Sequence, residues 1–162
     1  DLQLGLNLYQ FERSNLIATD PSNRYQNMDN NTSHGVELEA RWQATKKLRV
    51  SGNFTHREDS IPFNPDPKQR AYLRTDWAFL PSWNWNVQAS WISKRIPTDK
   101  HLPVDAYALV DSTIRYAHRK EWELAASIRN LFDVDAREYS NRIPDNLPLP
   151  GRSFYAEIRY KF

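Results

Sequence analysis

The chain has 162 residues, with 22 Lys and Arg against 20 Asp and Glu, no cysteine and a mean hydropathy of −0.80. That length suits one domain or one small barrel, the hydropathy excludes a helical membrane span, and the missing cysteine excludes disulfide scaffolds, thiolate zinc sites and thiol nucleophiles. A net charge of +2 is too weak to point to nucleic acid, while an aromatic share of 13%, with 6 Trp and 8 Tyr, conflicts with the polar average.

The chain opens inside an alternating pattern, Leu2, Leu4, Leu6 and Leu8 separated by Gln3, Gly5 and Asn7. Strict alternation predicts a strand with one apolar face. No initiator Met, charged n-region or apolar h-region precedes it, so no signal peptide is read, and a start inside a strand predicts a piece of something longer. Glu12 to Gly35 reads as a long loop. Alternation returns at Val36, Leu38, Ala40 and Trp42 and, past Thr45-Lys46-Lys47, at Leu48, Val50, Gly52 and Phe54. After a loop from Arg57 to Arg70 come Leu73, Thr75, Trp77 and Phe79, the turn Leu80-Pro81-Ser82, then Trp83, Trp85, Val87, Ala89 and Trp91. A loop from Ser93 to Ala106 leads to Ala108, Val110, Ser112, Ile114 and Tyr116. A turn from Ala117 to Glu121 leads to Trp122, Leu124, Ala126 and Ile128. The last loop, Asp133 to Arg152, precedes Phe154, Ala156, Ile158, Tyr160 and Phe162. No stretch sustains helical spacing. The prediction is an all-β chain, an antiparallel up-and-down meander of about eight strands.

The connections alternate between tight turns and long loops, the latter holding most of the 10 Pro. Outer-membrane barrels are built this way. One face of the strands is charged: Glu37, Glu39 and Arg41, Arg74 and Asp76, Glu157, Arg159 and Lys161. The other is apolar, with small residues (Ala40, Gly52, Ala89, Ala126) between aromatics at the strand ends, as a lipid-facing sheet would carry. Unpaired backbone in hydrocarbon is costly, so such a sheet closes: either alone, as an eight-stranded barrel, or as an arc of a wider one. The start inside a strand favours the arc.

Near the C-terminus, Arg129-Asn130-Leu131-Phe132-Asp133 and Leu147-Pro148-Leu149-Pro150-Gly151-Arg152-Ser153-Phe154 resemble the last strands of TonB-dependent outer-membrane receptors. Gly35-Val36-Glu37-Leu38-Glu39 and Tyr107-Ala108-Leu109-Val110-Asp111 are similar to two further family strands, in the family's order and spacing. The resemblance implies a 22-stranded transmembrane β-barrel with an N-terminal plug, of which residues 1–162 are the C-terminal segment, without plug or TonB-contacting box. It also implies a Gram-negative outer membrane and TonB-dependent uptake of a ferric siderophore or similar scarce nutrient. This segment would supply barrel wall and extracellular loops, with no enzymatic activity and no cofactor. TonB would act only through the missing plug. Phe154, Ile158, Tyr160 and the terminal Phe162 resemble the strand read by the barrel-assembly machinery, and outer-membrane lipid is the other expected partner. The alternative is a self-contained small barrel or soluble β-domain with a binding role.

Binding residues concentrate in loops, and the long loops offer Arg24, Tyr25, Arg57, Lys68, Arg95 and His101 as ligand contacts suited to an anionic cargo. Other chemistry is weaker. His34, His56, His101 and His118 have no ligand spacing for a metal, and no G-x-S-x-G elbow is present. Glu37 and Glu39 next to Arg41 read as a charge ladder rather than glycosidase acids, and Trp83, Trp85 and Trp91 read as an interface girdle rather than a sugar platform.

Overall fold

The structure, a computed structural model, describes residues 1–14, 17–19, 24–27, 30–60, 66–96, 102–118, 121–140 and 142–161. Among these it forms β1 (Leu2–Arg13), β2 (Ile17–Thr19), β3 (Tyr25–Asn27), β4 (Asn31–Thr45), β5 (Leu48–Asp59) and β6 (Gln69–Leu80). There follow β7 (Trp83–Ile92), β8 (Tyr107–His118), β9 (Trp122–Arg129), β10 (Arg137–Glu138), β11 (Leu147–Pro148) and β12 (Ser153–Tyr160), with no helix among the described residues. Eight strands make one antiparallel sheet in the order β1-β4-β5-β6-β7-β8-β9-β12, and β2-β3 and β10-β11 are small hairpins within the loops. β1 and β12 pair only on their inner sides among the described residues, so the sheet is an open arc. The self-closed eight-stranded barrel does not form.

Cross-strand register sorts the side chains into rows. Leu4, Ala40, Gly52, Leu73, Ala89 and Val110 stand directly opposite one another across successive strands and share the apolar face. One residue away, Gln3, Arg41, Ser51, Arg74, Gln88 and Asp111 form a row on the polar face. The strands also outrun their apolar stretches. β1 stays paired with β4 as far as Arg13 opposite Asn31, so the loop expected from Glu12 to Gly35 is partly strand.

Tight turns gather at one end. At Leu80-Pro81-Ser82-Trp83, Pro81 fixes its own φ and Ser82 takes a φ of 64°, the combination a type II turn uses. A single layer can bury little of itself: Leu4 is 74% exposed and Ile158 70%. Among the described residues, the buried apolar ones, Val104, Tyr107 and Ala136, belong to the loop end.

Candidate functional site

The wall presents two unlike surfaces. On its apolar face an aromatic chain runs along the turn end: Trp77 lies 5.7 Å from Phe79 and 6.3 Å from Trp85, and Phe79 lies 6.3 Å from Trp83. Trp83 continues to Tyr116 at 4.7 Å, and Trp122 meets Tyr160 at 4.6 Å. The loop end of this face is sparser, with Phe54, Trp91 and Phe154 among the described residues. Aromatics were expected near both strand ends; the structure makes the belt lopsided. Beyond the apolar band on the loop side the same face turns polar at Gln10, His34, His56 and Gln69.

The polar face carries a continuous hydrogen-bonded rail toward the loop end. Tyr72 Oη donates to Gln88 Oε1 at 3.0 Å, and Gln88 Nε2 donates to Asp111 Oδ2 at 3.1 Å. Asp111 Oδ1 accepts from the backbone N–H of Asn130 at 2.9 Å. Asn130 and Asp133 sit at φ 49° and 55°, a left-handed conformation that Asn and Asp tolerate better than most residues. Asn130 Nδ2 donates to the carbonyls of Val134 (2.9 Å) and Pro150 (3.3 Å), while its Oδ1 accepts from the Val134 N–H at 2.9 Å. Asp133 Oδ1 accepts from the Arg152 N–H at 2.8 Å, and its other oxygen lies 3.5 Å from the Arg152 guanidinium. The Arg129–Asp133 and Leu147–Phe154 blocks therefore clamp each other across the neck of one loop. Their residue types are set by backbone geometry.

A second cluster ties two loops together. Arg95, 5% exposed, donates through Nη1 to Glu138 Oε2 at 2.5 Å and through Nη2 to the Arg137 carbonyl at 3.1 Å. Tyr107 Oη donates to the other oxygen of Glu138. The backbones of Arg95 and Val104 exchange hydrogen bonds of 2.9 and 3.0 Å, closing the β7–β8 loop on itself. Asn146, at φ 63°, donates from Nδ2 to the Leu102 carbonyl at 3.0 Å. The β7–β8 loop and the β10–β11 hairpin thus share one buried polar centre. Burial pushes the Glu138 carboxyl up, but the bonds from Arg95 and Tyr107 outweigh this and hold it below the ordinary carboxylate range.

The residues read from the sequence as ligand contacts fall in three places. Arg24 and Tyr25 lie at the start of β3, the second strand of the β2–β3 hairpin, where Tyr25 is 83% exposed. Arg57 and Lys68 meet at the loop end of β5 and β6. Arg57 bonds Asp59 and Asp66, each at 2.9 Å, and Lys68 pairs with Glu58 at 2.5 Å. Arg95 is the centre of the brace. Of these, the structure brings Arg57 and Lys68 together, through the Arg57 N–H on the Lys68 carbonyl at 2.8 Å. His101 and Phe162 lie outside the described residues. Phe154, Ile158 and Tyr160 line the outward face of edge strand β12.

Sequence reading overlooked a column at the loop end of β1. The rings of Tyr9 and Phe11 stack at 6.0 Å and 14°, and the Arg13 guanidinium lies 5.0 Å from the Phe11 ring. Their spacing at every second residue, continuing the polar face, is the signal that would have found them.

A family model described as TonB dependent receptor-like, beta-barrel matches residues 1–131. The vitamin B12 transporter BtuB of Vibrio cholerae serotype O1 is 25% identical over 166 residues, covering 95% of this chain and 26% of BtuB. The chain thus spans about a quarter of the curated relatives it matches. The siderophore receptor PiuA from Acinetobacter baumannii has the same fold at a TM-score of 0.83 and 22% identity, over 99% of this chain and 26% of PiuA. The closed form of the ferric-catecholate import receptor Fiu from E. coli K12 gives 0.82 at 17% identity, over 99% and 25%. The copper transporter OprC gives 0.81 at 17%, over 99% and 30%. With the open arc, its two unlike faces and the family match over most of its length, this chain belongs to the TonB-dependent receptor-like β-barrel family.

Proposed function

We propose that this chain is the C-terminal portion of the barrel wall of a TonB-dependent outer-membrane transporter, its tight turns toward the periplasm and its long loops outside. The observation that carries the reading is the single-layer arc itself. Large apolar side chains stand exposed on one face and a hydrogen-bonded polar rail runs along the other, which suits lipid outside and an aqueous, plugged lumen inside. Two sheet edges without partners fit a segment completed by further strands.

In this reading the chain supplies wall and loop framework to the uptake of a ferric siderophore or similar scarce nutrient. PiuA, Fiu and BtuB, by their names, serve siderophores, ferric catecholates and vitamin B12, which supports nutrient import and leaves the cargo to experiment. Arg24, Tyr25, Arg57, Lys68, Arg95 and His101 belong to the loop framework. Arg57 and Arg95 act there by holding carboxylates, so their contribution to cargo is through loop shape. TonB engages the plug, which lies elsewhere in the protein, and the β12 strand with Phe162 is the element offered to the assembly machinery.

The test is uptake in cells carrying the full-length protein as their sole importer of this type. Labelled ferric siderophores and labelled cyanocobalamin are supplied with and without TonB. Accumulation of at least one metal-bearing cargo should require both the protein and TonB. TonB-independent accumulation, or a full-length protein that stays monodisperse without detergent, would refute the reading.

A further inference from the structure

In a wall one layer thick, a buried side chain needs a cover. Tyr107 is 8% exposed, and because it alternates with Leu109 and Asp111 it stands on the polar face. It ends the cross-strand row Thr55, Arg70, Ile92, Tyr107, which runs over β5, β6, β7 and β8. Glu138 of the β10–β11 hairpin accepts the hydrogen bond of the Tyr107 phenol, and the Arg70 charge adds to the attractions that keep the same carboxyl ionised. Tyr107 and Arg70 lie two strands apart, about 10 Å. A carboxylate that meets both sits over the polar face, in front of Ile92. The hairpin belongs to the connection between β9 and β12, so it has folded back across β8 to reach this place. It is held there from several sides. Arg95 of the β7–β8 loop bonds Glu138 and the Arg137 carbonyl, Asn146 bonds the Leu102 carbonyl, and Ala136 at the foot of the hairpin is buried.

We propose that the β10–β11 hairpin is a roof folded inward over the lumen mouth in front of β6–β8, latched to the wall by Tyr107 and to the β7–β8 loop by Arg95, and that it filters by size what reaches this side of the lumen. This rests on the reading of the polar face as lumen. A hairpin that rose away from the wall would leave Tyr107 in water and the Arg95 guanidinium without its carboxylate, and an uncompensated buried charge is costly. Folded inward, it gives both groups their partner and lays its own backbone across the opening. Small solutes pass its edges. A bulky one is turned toward the part of the mouth that the hairpin leaves open.

The experiment uses the full-length protein in detergent, freed of any cysteine outside these 162 residues, which hold none. One thiol is placed at Ile92→Cys, under the roof, or at Thr55→Cys, two strands away in the same row. Each is labelled with a small sulfonated maleimide and with a polyethylene-glycol maleimide. With the hairpin in place, position 92 should take the small reagent and resist the polymer. Glu138→Ala, which opens the latch, should speed polymer labelling at 92 by about tenfold, the worth of one charge-assisted hydrogen bond, and leave position 55 unchanged. Tyr107→Phe keeps the ring and removes only its hydrogen bond. It should act in the same direction, and it serves alone should Glu138→Ala lack the heat-modifiable gel mobility of a folded barrel. Replacing residues 137–148 by a short glycine link should remove the polymer's handicap altogether. Polymer labelling at 92 that is as fast with the hairpin as without it overturns the roof, and a rate that neither latch variant changes overturns the latch. Either result in a protein that still needs detergent leaves the barrel reading standing, whereas solubility without detergent removes both.

Discussion

Arg95 and Glu138 lie 43 residues apart in sequence, yet the first is buried against the second and Tyr107 completes the contact. A buried guanidinium that loses its carboxylate is left uncompensated, which costs several kcal/mol in a dry interior. Because the Glu138 side chain is itself 36% exposed, we expect Glu138→Ala to cost about 1–3 kcal/mol of local stability. The loss should register as faster hydrogen exchange at the Arg95 and Val104 amides, whose mutual bonds close the loop, while the mid-sheet amides of β7 keep their protection. The pH response follows from the carboxyl being held below its ordinary value of 4.5. Its stabilisation is complete above that value and is lost as pH falls through the lower folded value. Limited proteolysis of the loops should therefore accelerate on acidification below about pH 4.5 and stay flat between neutrality and mild alkalinity. Protection that falls as pH rises would overturn this account. None of this was legible beforehand: Arg95 was read as a ligand contact because sequence shows a cation in a loop and cannot show a partner so distant.

The strands themselves were legible element by element, because a period of two survives without any tertiary information. Leu2 to Leu8, Val36 to Trp42 and Trp83 to Trp91 alternate cleanly, and each became a strand of the sheet. Where apolar alternation stops, the reading stopped too early. Tyr9 to Arg13 and Asn31 to Gly35 continue as paired strand with polar residues on both faces, since beyond the apolar band no face needs to be greasy. The hairpins β2–β3 and β10–β11 carry too few residues for any period to be read. Close backbone approach gives a test at this scale. At Gly52 an added Cβ meets the Tyr72 carbonyl oxygen, part of a paired strand that has no room to give. Gly52→Val should push β5 and β6 apart at a cost of about 1–3 kcal/mol. The folded, heat-modifiable fraction of the full-length protein should fall, whereas Gly5→Ala, whose Cβ would make ordinary contact with Glu39 at 3.6 Å, should leave it unchanged.

For the whole molecule, the arc buries almost nothing between layers, so its order depends on what completes it at both edges. We expect the 162-residue segment expressed alone to sediment as aggregate in the absence of detergent, since β1 and β12 each present an unpaired edge beside exposed Leu, Ile and Phe. A soluble monomer in analytical ultracentrifugation would contradict that. The lopsided aromatic belt has a consequence of another kind. Trp77, Trp83, Trp85, Tyr116, Trp122 and Tyr160 crowd one rim, while the opposite rim holds Phe54, Trp91 and Phe154. Interfacial Trp and Tyr fix the height at which a wall rides in its bilayer. The turn rim is therefore the datum, and a change in bilayer thickness is absorbed at the mouth. In a full-length protein freed of any cysteine outside these 162 residues, which hold none, single thiols at Lys46→Cys and Ser93→Cys can report on the two rims separately. In vesicles of lengthening acyl chain, labelling from water should fall at position 93 and hold steady at 46, as if the mouth sank in a rising tide while the keel kept its depth.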